Sequence, residues 1–199
     1  MQKNLPNILS AIRIVLAPIF LVMYLQDESI WRSLSVAVFA TAAITDFFDG
    51  YLARHYGIES KLGVFLDPLA DKFLTFAGFF CLPFLSETLF PWWAIIIIVI
   101  RDVFVTVMRL YADKQNYSME TRFMAKLKTM VQMIFLYVIL LMGVFADSDI
   151  GLGEWVRAFF NTNAPTYLLY FVTGITLYSG IEYILVNRKL FGKPVIEQT

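Results

Sequence analysis

Charge is scarce in this chain, and the scarcity excludes most soluble architectures. Asp, Glu, Lys and Arg make up 16% of its 199 residues, against about a quarter in ordinary soluble domains. Acidic and basic residues balance at 16 each, so no polybasic character draws the chain to nucleic acid. A single cysteine, Cys81, lies in an apolar run, which excludes a disulfide framework and leaves packing as its role. Internal repeats, low-complexity tracts and linkers are missing, so residues 1–199 read as one domain. The apolar stretch after Pro6 has no small-x-small cleavage pattern and contains Arg13 and Pro18. It therefore reads as a retained helix rather than a cleaved signal.

What fills the chain instead is apolar. Hydrophobic residues reach 59% and the mean hydropathy is +0.67, far above a soluble domain of this size. A helix needs about 20 residues to cross a bilayer. The segments 8–25, 34–54, 62–85, 91–112, 122–145 and 167–186 meet that length. The expectation is an all-α integral membrane protein of six transmembrane helices, with a short cytoplasmic segment 1–7 in front. Lys and Arg orient it, because cytoplasmic flanks carry the excess of both. Placing both termini, the loops after the second and fourth helices and the helix portions near them on one side puts 14 of the 16 basic residues there. Trp31, Trp92, Trp93 and Trp155 then fall at the opposite boundary, as an interfacial aromatic belt does. The segment 147–165 groups Trp155, Val156, Phe159 and Phe160, and reads either as a surface helix or as an ordinary loop with a short helix.

Against this apolar background, residues 46–71 hold four aspartates. Anions of one sign beside hydrocarbon repel unless cations lie between them. Asp46, Asp49 and Ala53 follow i, i+3, i+7 and share one helical stripe, with Gly50 and Arg54 beside it. Gly63, Asp67 and Asp71 follow i, i+4, i+8 on a second stripe. Two antiparallel helices can turn these stripes toward each other at their cytoplasmic ends, in a polar cavity. Carboxylate ligands without histidine or cysteine favour Mg²⁺ or Mn²⁺ over Zn²⁺, and such ions complete their shells with phosphate oxygens. Ordinary solvated carboxylates at helix ends do not account for four aspartates at this spacing. A cation transporter needs its carboxylates near mid-membrane on a path open to both faces. These instead crowd toward one end of two helices.

Other charges sit inside apolar segments. Arg101 and Asp102 occupy the middle of the fourth, where each needs a polar cavity or the other. Arg101 has Asp102 or Glu182 as a structural partner. Asp102, Thr106 and Arg109 share a stripe that brings Arg109 toward the cytoplasmic side. Lys126 and Lys128 open the fifth segment two residues apart, so one can enter a cavity while the other reaches the headgroups. With Arg188 at the end of the sixth, these cations can form a pocket for an anionic second substrate. Gly174 and Gly180 flank Thr176 and Ser179 in the last segment, where small residues permit close helix contact, including between protomers.

The pattern D-x2-D-G-x2-A-R-x8-G-x3-D-x3-D, running from Asp46 to Asp71, resembles position for position the signature of the CDP-alcohol phosphotransferase family. The six-helix layout extends the resemblance over the whole chain. Finer features are similar to the branch that uses glycerol 3-phosphate as acceptor. These are Pro6–Ser10 followed by Arg13, the block Leu66–Lys72, the run Lys126–Thr129 with Gln132, and the ending Ser179–Tyr183. The chain departs from that branch at Arg101-Asp102, where many members carry Arg-Glu. Arg-Asp resembles the family's cardiolipin-forming members, whose acceptor is phosphatidylglycerol.

The resemblance implies transfer of a phosphatidyl group from CDP-diacylglycerol to glycerol 3-phosphate, with release of CMP. It implies two divalent cations held by Asp46, Asp49 and Asp67, with Asp71 close to the second and serving as general base. It implies that Gly50, Ala53 and Gly63 make room for the cytidine and that Arg54 steadies the nucleotide or the loop. Arg109, Lys126, Lys128 and Arg188 are then available for the acceptor's phosphate. The family also implies a homodimer among membrane lipids, in a bacterial inner membrane.

Overall fold

The computed structural model describes residues 5–26, 28–56, 61–115, 123–146 and 151–188, and side chains there apart from 5–9, 46–56, 61–69, 71, 113 and 114. Seven helices and no strand occur among the described residues. They are α1 (Leu5–Tyr24), α2 (Ser29–Tyr56), α3 (Lys61–Leu85), α4 (Trp92–Lys114), α5 (Phe123–Ala146), α6 (Gly151–Phe160) and α7 (Ala164–Val186). Six of these overlie the six apolar segments. The additional helix, α6, lies in the stretch that sequence alone left between a surface helix and a loop with a short helix.

Aromatic and aliphatic side chains at helical spacing draw the elements together. α1 packs against both α2 and α3, while α5 touches α2, α3, α6 and α7, and α4 lies against α3 and α7. Phe39 of α2 has no solvent exposure and sets its ring 4.8 Å from Phe20 of α1 and 5.2 Å from Tyr137 of α5. Close passage at this crossing needs a residue without a side chain. A β-carbon at Gly78 of α3 would already stand 3.3 Å from Leu136 of α5 and from the Phe39 ring.

Many large apolar side chains lie on the bundle's outer surface. Val15, Val22, Ile100, Val107, Ile134, Phe171, Ile181 and Leu185 all point outward. Apolar exposure on this scale suits lipid rather than water. α5 and α7 are each long and apolar enough to cross a membrane. Shorter apolar stretches occupy Ser10–Tyr24, Ser29–Thr45 and Lys72–Leu85. α4 carries Arg101, Asp102 and Arg109 within its apolar run. Among the described residues the structure is all-helical with two clear membrane-spanning candidates, where the sequence predicts six.

Local hydrogen bonds close the ends of the bundle. Arg157 of α6 donates to the carbonyl of Ala146, the last residue of α5, at 2.7 Å, satisfying a terminal acceptor that the helix cannot pair internally. α6 turns Phe159 and Phe160 toward the core and leaves Trp155 78% exposed. Thr166 at the start of α7 donates to Leu89 O at 2.9 Å, fastening α7 to the α3–α4 connection. Phe39→Ala removes the ring shared by α1, α2 and α5. Thermal or denaturant unfolding in mild detergent should show a loss of about 3–5 kcal/mol, the range for a fully buried Phe.

Candidate functional site

The structure places the aspartate motif on two consecutive helices. Asp46, Asp49, Gly50, Ala53 and Arg54 belong to the second half of α2, and Gly63, Asp67 and Asp71 to the first half of α3. Backbone hydrogen bonding is helical through both stretches, so the i, i+3 and i, i+4 spacings keep each set on one stripe. Side chains of all eight residues lie outside the described set. Among the described residues no group of three or more His, Cys, Asp or Glu comes together.

Immediately after the motif, α3 enters an ion-pair cluster. Lys72, the residue after Asp71, approaches Asp102 Oδ2 of α4 at 3.4 Å. Lys128 of α5 donates to Asp102 Oδ1 at 2.5 Å, and Arg101 Nη1 donates to the same oxygen at 3.0 Å. Asp102 is sealed from solvent. Such a carboxylate persists only when paired and hydrogen-bonded. Here the partners come from three helices. Arg101 extends the network to α7, donating from Nη2 to Ser179 Oγ at 2.8 Å. One turn away, Gln132 of α5 donates to Thr176 Oγ1 of α7 at 3.1 Å.

The helix-five lysines part company as their two-residue offset requires. Lys128 is only 1% exposed, whereas Lys126 faces outward. Arg109 and Arg188 are also exposed. The structure therefore brings Lys128 into a buried cluster and leaves Arg109, Lys126 and Arg188 on the surface. Of the two partners considered for Arg101, the geometry supplies Asp102 and adds Ser179. Lys72 entered the sequence reading only as the end of a motif block. Its signal was available as a lone cation in an apolar stretch of α3, which needs an anion on a neighbouring helix.

Close helix contact makes this cluster possible. A β-carbon at Gly180 would stand 3.0 Å from Arg101 Cγ and 3.1 Å from its Nε, so the guanidinium stem lies across the glycine. Gly174, two turns earlier on α7, has nothing within 4 Å of that position.

Comparison with known proteins bears on this arrangement. A family model described as CDP-alcohol phosphatidyltransferase matches residues 3–172. The chain is 40% identical over 134 residues to a protein of Mycobacterium tuberculosis named probable phosphatidylglycerophosphate synthase, covering 66% of this chain and 63% of the relative. The match thus spans just under two thirds of that relative's length. It is 35% identical over 164 residues to a CDP-diacylglycerol–glycerol-3-phosphate 3-phosphatidyltransferase of Rickettsia typhi, covering 79% of this chain and 90% of the relative. A Rickettsia felis protein of the same name is 31% identical over 196 residues, 96% of this chain and 98% of its own length.

The two glycines of α7 give a paired prediction. Gly180→Ala pushes Arg101 away from Ser179 and should destabilise the protein by about 1–3 kcal/mol, the usual cost of overpacking. Gly174→Ala meets open space and should be neutral or stabilising by up to about 1 kcal/mol, because alanine favours the helix. Unfolding of the two variants side by side in one detergent checks the contrast.

Proposed function

This chain belongs to the CDP-alcohol phosphatidyltransferase family, and we propose from that premise that it transfers a phosphatidyl group from CDP-diacylglycerol to glycerol 3-phosphate, releasing CMP. The observation that carries the proposal is the complete aspartate signature on α2 and α3, with a buried lysine cluster beginning at the residue after its last aspartate. Relatives named for this reaction support the choice of acceptor.

The donor set fits two divalent cations, Mg²⁺ or Mn²⁺, since it offers hard carboxylate oxygens on two helical stripes and no soft ligand at those positions. Asp46, Asp49 and Asp67 would hold them, with Asp71 beside the second. When bound, such ions neutralise the donor's pyrophosphate and stabilise the departing CMP.

The remaining work falls to the chain's own groups. Asp71 takes the proton from a hydroxyl of glycerol 3-phosphate. That oxygen forms a new bond to the phosphorus bearing the diacylglycerol, the pyrophosphate P–O bond breaks, and its electron pair leaves with CMP. Positioning and charge neutralisation dominate displacements of this kind. Gly50, Ala53 and Gly63 are small enough for the nucleotide to approach the helix backbones, and Arg54 steadies it. Of the four cations that the sequence offers for the acceptor's phosphate, Lys128 supplies the charge in this reading, because Arg109, Lys126 and Arg188 lie exposed outside its buried cluster.

A membrane setting suits a substrate whose acyl chains stay in lipid while its cytidine reaches the motif. The apolar exterior of α4, α5 and α7 supports that setting. The basic flanks at the motif end support a cytoplasmic site with both termini on the same side. A homodimer in the inner membrane completes the reading.

CMP release by the purified protein in detergent, with CDP-diacylglycerol and Mg²⁺ or Mn²⁺, tests the proposal. Turnover should depend on glycerol 3-phosphate, stop on chelation and return with added metal. Asp71→Asn should lower kcat by roughly 10²–10⁴-fold, the contribution of a positioned base. Turnover with phosphatidylglycerol alone would assign the chain to cardiolipin formation instead.

A further inference from the structure

We propose that Asp102 is a positioning residue for this reaction, setting where Lys128 and Lys72 present their charge to the acceptor's phosphate. The inference rests on the phosphatidyl-transfer reading above and deepens it. Asp102 touches no reacting atom in this view. It acts through the cations that it holds.

Three features of the cluster lead there. The first is economy: a buried ion pair contributes little net stability, and apolar residues of like volume often do as well. Three cations crowded on one carboxylate are harder still to explain by stability, because they repel one another at contact range.

The second feature is connectivity. Lys72 binds Asp102 Oδ2 while Lys128 and Arg101 bind Oδ1, so a single carboxylate fixes the separation of α3 from α5. α3 carries Asp71 and α5 carries Lys128. Asp102 therefore ties the α3 residue that follows Asp71 in sequence to Lys128 of α5.

The third is graded access. The Lys72 side chain is 19% exposed, against 2% for Lys128 and none for Asp102. Lys72 is thus the most accessible member of the cluster and Asp102 the least, so an arriving anion meets a lysine before it meets the carboxylate.

The experiment compares wild type with Asp102→Asn, Asp102→Glu and Lys72→Met, measuring kcat and both KM values in detergent. Asp102→Asn should raise KM for glycerol 3-phosphate roughly tenfold or more, the scale of one charge-assisted hydrogen bond. KM for CDP-diacylglycerol should stay within about twofold, since only acceptor binding is disturbed. Asp102→Glu should recover part of the loss. Lys72→Met should act in the same direction, and adding Asp102→Asn to it should cost less than Asp102→Asn alone, because the two act through one contact. Equal loss of affinity for both substrates, or a fall in kcat that merely tracks the folded fraction, would overturn the proposal. If Asp102→Asn does not fold, Lys72→Met decides, and an unchanged KM for glycerol 3-phosphate overturns it.

A wild-type chain inert toward glycerol 3-phosphate would sink the functional reading instead. Inorganic phosphate then tests the cluster by itself. Weaker phosphate protection of Lys72→Met than of wild type against thermal unfolding supports the positioning role, and equal protection overturns it.

Discussion

A single carboxylate sealed among apolar helices sets the conditions for the middle of this protein. Asp102 has no water to solvate it, so it must be met by donors, and the nearest segments of chain supply them. That requirement brings Lys72 of α3 and Lys128 of α5 to one point on α4. It also holds Arg101 against its own neighbour in sequence. Arg101 passes the constraint to α7 through Ser179, and its stem can lie there only because residue 180 is a glycine. Four helices are thereby registered by one buried charge.

The rest of the packing obeys the same scarcity of water. Lipid-facing residues outside and Phe, Leu and Ile inside are alike in polarity, so apolar burial alone gives weak preference for one helix arrangement. Shape and hydrogen bonding decide instead. Gly78 lets α3 pass beside Leu136 and Phe39, and Gly143 lets α5 approach Tyr24 of α1. Thr173, Thr176 and Ser179 turn their hydroxyls to carbonyls of their own helix, at Leu169, Val172 and Thr176. Thr176 still accepts from Gln132 across the α5–α7 contact. These small polar residues form a seam that leads from the core toward the charged cluster.

Chemistry and architecture meet on α3. Its first half carries Gly63, Asp67 and Asp71, while the residue after Asp71 joins the buried network. A helix is stiff over that length, so whatever positions Lys72 also constrains the backbone of the two aspartates that precede it by one and five residues. The membrane-like exterior and the polar interior then suit a reaction between a lipid-borne phosphate and a small anionic alcohol.

Much of this was legible in the linear sequence. Helix content, the positions of six long apolar segments and the spacing of Asp46, Asp49, Asp67 and Asp71 follow from period and composition, which are local properties. The need of Asp102 for a partner also follows, because a lone charge in an apolar run is untenable anywhere in a fold. What sequence could not decide was which cation answers it. Lys126 and Lys128 have the same chemistry two residues apart, and only the rotation of α5 in the bundle buries one and exposes the other. The short helix α6 was equally ambiguous, since its order depends on Phe159 and Phe160 finding the core and Arg157 finding the end of α5. Period and spacing are written along the chain. Partner identity is a matter of distance between helices, which tertiary packing alone determines.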